Sequence, residues 1–271
     1  MVFFRQSQSF KLRAAIHHDL FMQDLNLMSE VPLRLRFYKS NDKFTCMADT
    51  AADAPRIEVL GISLQMCQVI PEPETDREVQ TMLMREPATY PIRSTDVLRF
   101  LVQKDSTTAT FDNMFPGTKI PDLLVFGLIN ADAFNGDCGK PPLAFDHCRI
   151  STVGLYVNNV PVKKKPLKMN FAGNQTQFEA MEGFMNQFSA LNTFGMNDSN
   201  DFGYWQFLHQ YTIFVFNPSP VDGNPLPRHG VVKLELAFSS ALQENTYALI
   251  MTKKHGRITV NSNRDIEYGE D

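Results

Sequence analysis

Apolar and polar residues alternate along much of the chain, in short runs divided by Pro, Gly, Asn and Asp. "VPLRLRFY" (31–38) sets apolar side chains against Arg34 and Arg36, the pattern of a half-buried strand. "RIEVLGISLQMCQVI" (56–70) places Leu60, Ile62, Leu64 and Met66 on one face. Strands are likewise expected over 90–103, 107–113, 122–130, 148–159, 211–217, 231–238 and 245–251, each bounded by turn residues. From residue 56 onward this makes about eight strands, a count that points to a sandwich or barrel. Two stretches follow a helical period instead. "ETDREVQTMLMRE" (74–86) gathers Val79, Met82 and Leu83, and "TQFEAMEGFMNQFSAL" (176–191) spaces Phe178, Met181, Met185 and Phe188 by three and four. Such stripes face either a core or a subunit contact, for which adaptable Met-rich faces are suited. The fold class is all-β.

Composition adds exclusions. The chain has 271 residues, 43% hydrophobic and 21% charged, with 22 Phe against one Trp. A net charge of −4 argues against specific nucleic-acid binding, which usually needs a basic surplus. No apolar run approaches the roughly 18 residues of a membrane span, and MVFFRQSQSF lacks the apolar core of a secretory signal. Cys46, Cys67, Cys138 and Cys148 are far apart, without a CxxC pair, and read as reduced, mostly buried thiols of an intracellular protein. "KKKPLK" (163–168) is the only charge run and reads as a solvated turn.

The search for chemistry returns little. In "NADAFNGD" (130–137) a calcium loop beginning at Asn130 would put Phe134 at its fifth position, Asn135 at its sixth and Pro141 at its twelfth, so the ligand set fails. His17 and His18 would point to opposite faces of a strand, as would the residues of "DHC" (146–148). There is no GxSxG, phosphate-binding loop, HExxH or dinucleotide glycine run. No catalytic residue, metal ligand, cofactor or small-molecule substrate is expected.

The ordered blocks carry a resemblance. "HHDLFMQDLNLMSEVPLRLRFYKSNDKFTCM" (17–47), "ATYPIRSTDVLRF" (88–100), "LLVFGLINADAFNGD" (123–137), "ISTVGLYVNNVPV" (150–162), Asp201-Phe202, "YTIFVFNPSP" (211–220) and the blocks of 231–266 are similar, in the same order, to double jelly-roll major capsid proteins of Polinton (Maverick) elements and adintovirus-like genomes. Those are related more distantly to the capsid proteins of large DNA viruses. The resemblance implies an eight-stranded jelly-roll sandwich with short helical insertions, plus remnant strands of a second jelly roll. Residues 1–55 would hold the closing strands of an incomplete first roll and a linker, and 56–271 the complete C-terminal roll. It further implies a structural subunit rather than an enzyme. Such a subunit self-associates as a homotrimer, meets other capsid proteins in an icosahedral shell, and is assembled inside the host cell rather than secreted.

Candidate interface residues are Phe178, Met181, Met185 and Phe188 on the second helix, and Tyr204, Trp205 and Phe207 in a loop expected to project from the surface. Asn130, Asp132, Asn135 and Gly136 form a candidate structural corner after a buried strand, with Asn and Asp capping their own backbone and Gly136 taking positive φ. The alternative function is a domesticated or stand-alone jelly-roll module that binds a carbohydrate or a protein through the same aromatics. A metal-dependent β-barrel enzyme is a third reading, disfavoured by ligand spacing.

Overall fold

The structure, a computed structural model, describes residues 9–46, 56–137, 139–171, 180–193, 203–218 and 229–270. The chain forms two compact units. One gathers Met1–Arg34, Cys67–Arg93 and Gly256–Asp271; the other gathers Leu35–Met66 and Ser94–His255. In chain order the elements are α1 (Asp42–Thr45), α2 (Pro73–Leu83), β1 (Ala88–Val102), β2 (Thr108–Phe111), β3 (Leu123–Asn130), α3 (Ala131–Asn135), β4 (Ile150–Val157), β5 (Val160–Pro161), β6 (Leu167–Lys168), α4 (Met181–Thr193), α5 (Tyr204–His209), β7 (Ile213–Phe216), β8 (Val232–Phe238), β9 (Thr246–Val260) and β10 (Ile266–Glu270), with a 3-10 turn at Asp19–Phe21.

Two antiparallel sheets make the sandwich. One runs β1-β9-β3-β7, with β10 also on β9; the other runs β2-β8-β4-β5, with β6 also on β4. Taking β5 and β6 as two pieces of one strand, the chain crosses from sheet to sheet after β1, β2, β3, β5/β6, β7 and β8. That interleaved order is a jelly roll, two Greek keys wound together.

The alternation of the sequence explains the layers. In β8, Val232, Leu234, Leu236 and Phe238 are buried, while Lys233, Glu235 and Ala237 are half-buried on the other face. Residues of β9 alternate in the same way through Ala248 and Ile250. β3 is apolar on both faces, so Leu124, Phe126 and Leu128 enter the core while Leu123 and Ile129 are buried on the outside. At the centre Phe126 stacks on Phe214 at 4.9 Å and on Phe216 at 6.3 Å, and Phe207 meets Phe214 edge-on at 5.9 Å. Each such side chain contributes about 1.5–3 kcal/mol on burial.

The smaller unit is tied by long-range polar contacts. The hydroxyl of Tyr90, 3% exposed, donates to the Asn26 carbonyl at 3.2 Å and accepts from the Met28 amide at 3.2 Å. Burial pushes that phenol above its ordinary range. Arg264 donates to the Ser29 carbonyl (3.1 Å) and to Gln80 (3.4 Å).

Two segments differ from the sequence expectation. Neither 31–38 nor 56–70 forms a strand, and both are largely exposed: Tyr38 by 84%, Leu60 by 81% and Ile70 by 92%. Alternation selects a face, but a strand also needs a neighbour for its backbone hydrogen bonds. Among the described residues neither segment has one. Conversely β9 continues past residue 251 to Val260, where β10 pairs with its end, Ile266 opposite Val260.

Candidate interaction surface

The outer faces of the two sheets are chemically different. On the β1-β9-β3-β7 sheet, directly opposed residues share a face, so the register Met251–Val125–Val215 forms one row across three strands. Leu249–Gly127–Ile213 forms the next row. In β1, Leu98 and Phe100 pack on the core, which turns Val97, Arg99 and Leu101 outward. Val97 is 65% exposed and Leu101 50%. The Arg99 guanidinium lies 4.9 Å from the ring centre of Tyr247 and 5.5 Å from that of Phe134. The surface is thus mainly aliphatic between two cations, Arg99 held on aromatic rings and Lys253 opposite Leu123.

Helix α4 covers part of this face. Ala190 joins Leu123 and Val215 in a small apolar cluster, with Val125 and Ile213 beside it. Two buried amides on the same helix reach the free edge of β7. Asn186 Nδ2 donates to the Val215 carbonyl and Gln187 Nε2 to the Ile213 carbonyl, both at 2.5 Å. Asn186 Oδ1 has no hydrogen-bond partner among the described residues. The amides occupy the place a further strand would take.

The outer face of the β2-β8-β4-β5 sheet is polar. Lys233 and Glu235 pair at 2.7 Å, and the Lys233 ammonium sits 5.1 Å from the Tyr156 ring centre. The hydrogen bond it donates to Glu235 holds the Lys233 ammonium above its ordinary pKa. Thr110 lies across from Glu235, and Thr152 across from Ala237. These groups keep water or each other as partners.

The residues singled out from sequence fall in different environments. Met181 packs half-buried against the core and Met185 is 55% exposed. Phe178 and the side chain of Phe188 lie outside the described residues. Tyr204 packs on Phe184 at 5.5 Å, and its hydroxyl accepts from the Ala180 amide at 3.3 Å. Phe207 is a correction to the projecting-loop expectation: it is fully buried, because 203–209 closes into the short helix α5, whose inner side carries Phe207 and Leu208 into the core. Trp205 alone of the three aromatics stands out, 58% exposed and 4.3 Å from His209.

At the corner after β3, Asn130 Oδ1 accepts from the amides of Asp132 (2.9 Å) and Ala133 (3.1 Å), capping α3, of which Asn135 is the last residue. Gly136 closes the turn at φ +105°, and a Cβ there would lie 2.7 Å from Lys43 Cβ. The Asn130 amide donates to Glu244, while Lys140 bridges Asp132 (3.5 Å) and Glu244 (3.2 Å). Slight burial works against the Lys140 ammonium, but Glu244 and Asp132 outweigh it and raise its pKa.

A second corner precedes β4. Cys148 and Arg149 both take positive φ, +45° and +52°, unusual for two consecutive non-glycine residues. The Asp146 carboxylate accepts from the Cys148 amide (2.7 Å) and His147 Nδ1 from the Arg149 amide (2.9 Å). Burial pushes the Cys148 thiol up to about 12, with the Asp146 charge adding to it, the reverse of a nucleophile's activation. His147 stacks on Phe171 at 4.6 Å, and burial lowers its pKa against the pull of Asp146.

Among the described residues no group of three or more His, Cys, Asp or Glu is placed to hold a metal ion, and no helix is long and apolar enough to cross a membrane. The sheet-edge amides gave no signal in the sequence, because Asn186 and Gln187 fall between Met185 and Phe188 of the apolar stripe and read as polar-face residues.

No family model matches the chain. It is 24% identical over 238 residues to the uncharacterized protein F54H12.2 of Caenorhabditis elegans, across 84% of this chain and 55% of that protein. The chain thus spans about half the length of that curated relative. Among solved structures, the Sputnik virophage structure aligns with a TM-score of 0.43 and 12% identity over 68% of this chain and 39% of that one. The mavirus major capsid protein aligns at 0.38 and 9%, over 68% and 42%. PBCV-1 Vp54, fitted into a reconstruction of Sputnik, aligns at 0.43 and 8%, over 72% and 54%.

Proposed function

We propose that this chain is a capsid-type structural subunit that works by self-association and not by catalysis. The observation that carries the reading is the aliphatic outer face of the β1-β9-β3-β7 sheet. Exposed Val97 and Leu101 stand beside half-buried Leu249, Met251 and Val125, a combination that favours burial against another protein surface. The jelly-roll strand order and the ordered blocks similar to double jelly-roll capsid proteins support it. In the finer form of the proposal the chain forms homotrimeric capsomers of an icosahedral virion shell, assembled within the host cell. On this reading residues 1–55, which form no strand among those described, belong to an incomplete first roll and a linker, and the strands within 56–271 make the second roll.

The alternative, a stand-alone module gripping a sugar or protein with an aromatic patch, needs Tyr204, Trp205 and Phe207 open together. Burial of Phe207 and the packing of Tyr204 leave Trp205 by itself. Light scattering of the purified chain behind size exclusion, with negative-stain images of the peak, tests the proposal. A trimer or a larger shell-like particle is expected; a monomer at all accessible concentrations overturns it.

A further inference from the structure

Among the described residues, the strands that end the two main sheet orders are not equally protected. The β7 edge is occupied by the Asn186 and Gln187 amides. The β5/β6 edge is broken by Pro161 and Pro166 and by the lysines at 163, 164, 165 and 168, devices that discourage pairing. β2 is only four residues long. β1 is different: it runs for fifteen residues, ends its sheet, and carries no proline between 94 and 102.

The same molecule has a strand-patterned segment that pairs with no strand among the described residues. The Ile57 amide donates to Asp42 Oδ1 (3.2 Å), and its carbonyl accepts from Lys39 Nζ (2.7 Å), which also pairs with Asp42. Beyond that anchor, 58–66 is exposed throughout, with Val59 at 53%, Leu60 at 81%, Ile62 at 66% and Leu64 at 47%. β-Branched and leucine side chains in alternation suit a pleated, half-buried surface.

We propose that 57–66 of one copy adds as an antiparallel strand to the β1 edge, 94–102, of a second copy. The proposal rests on the self-association reading and names the contact that delivers it. One register satisfies both charge and hydrophobicity: with Glu58 opposite Arg99, Leu60 falls opposite Val97 and Ile62 opposite Thr95. All of these lie on the outer face, so the added strand widens the aliphatic surface. Slipping by one residue would turn Leu60 and Ile62 to the other face and lose the Glu58–Arg99 pairing.

The test uses the full chain in a Cys67→Ser background. A Leu60→Cys copy is mixed with a Val97→Cys copy under mild oxidation, and a Val59→Cys copy with Val97→Cys serves as the out-of-face control. Cross-linking is expected to be about a hundredfold faster for the matched pair than for the control, the gain that held proximity supplies. Leu60→Pro should lower the mass seen by light scattering without lowering the melting temperature. Oligomers that form without preferential 60–97 cross-linking overturn this contact and leave self-association standing. A chain that is monomeric and does not cross-link overturns both.

Discussion

The two sheets share one core and one alternating pattern, yet they treat their outer sides in opposite ways. On the β2-β8-β4-β5 sheet the outward positions carry Lys233, Glu235, Thr110 and Thr152, which satisfy one another or water. On the β1-β9-β3-β7 sheet the outward positions carry Val97, Leu101, Leu249, Met251 and Val125, and a helix is laid over part of them. The inner faces explain folding, since both are equally apolar. Only the outer faces differ, so the difference belongs to what the molecule meets after it has folded.

Several substitutions would break or sharpen that contrast. The largest effect is expected where α4 closes the aliphatic sheet. Replacing Asn186→Leu and Gln187→Leu together removes the donors to the Val215 and Ile213 carbonyls, at about 1–3 kcal/mol for each buried acceptor left unpaired. A urea titration should show the loss, and an unchanged midpoint would mean the edge carbonyls find other donors.

Next come the glycines, one on each outer face. A Cβ at Gly127 would meet Phe145 Cδ1 at 2.5 Å with the ring pressed against the strand, whereas one at Gly154 would meet the far end of Tyr156 at 2.8 Å. Gly127→Ala should therefore cost about 1–3 kcal/mol through overpacking. Gly154→Ala should cost about 1 kcal/mol or less, because the Tyr156 ring can swing aside. Equal costs measured by thermal melting would show that the two faces are equally rigid.

Surface charge provides a milder contrast. Met251→Lys should lower the oligomer mass at a given concentration while leaving the fold intact, and Thr152→Lys on the polar face should change neither. A mass insensitive to Met251→Lys would place association elsewhere.

The smallest effect concerns pH. Burial holds the His147 imidazole below its ordinary pKa, so folding favours the neutral ring. Its contribution is fully present above the unfolded value of about 6.5, and is lost as pH falls from there through the lowered folded value. Melting temperatures followed from about pH 7 to about pH 5 should decline, and His147→Gln should flatten that decline. An identical slope in the variant would assign it to other groups.

Much of the fold was legible because alternation and helical spacing are local. The strands at β1, β3, β4, β7, β8 and β9 and the helices α2 and α4 lie where periodicity places them. Position 56–70 read as a strand by the same rule and forms none, because pairing depends on a partner that a single sequence window does not contain. Phe207 read as exposed for a related reason: a run such as GYWQFLHQ has no strong period, and only the closure of α5 decides which ring turns inward. The paired left-handed residues Cys148 and Arg149 had no compositional signal, since glycine or asparagine would be the usual marker. The surface was less legible than the fold. The helix was visible from its period, but not which of its residues meet the sheet, and the aliphatic outer face emerges only when β1, β9 and β3 are set side by side.

The buried thiol of Cys148 has a practical consequence. At a pKa pushed up to about 12 it is almost wholly un-ionised at neutral pH, and its neighbours partly shield it from reagents. Exposed Cys67 should react at the rate of an ordinary free thiol. With Cys46 and Cys138 replaced by Ser, the delay between the two labelling events then measures how often the corner before β4 opens, a molecular clock for local unfolding.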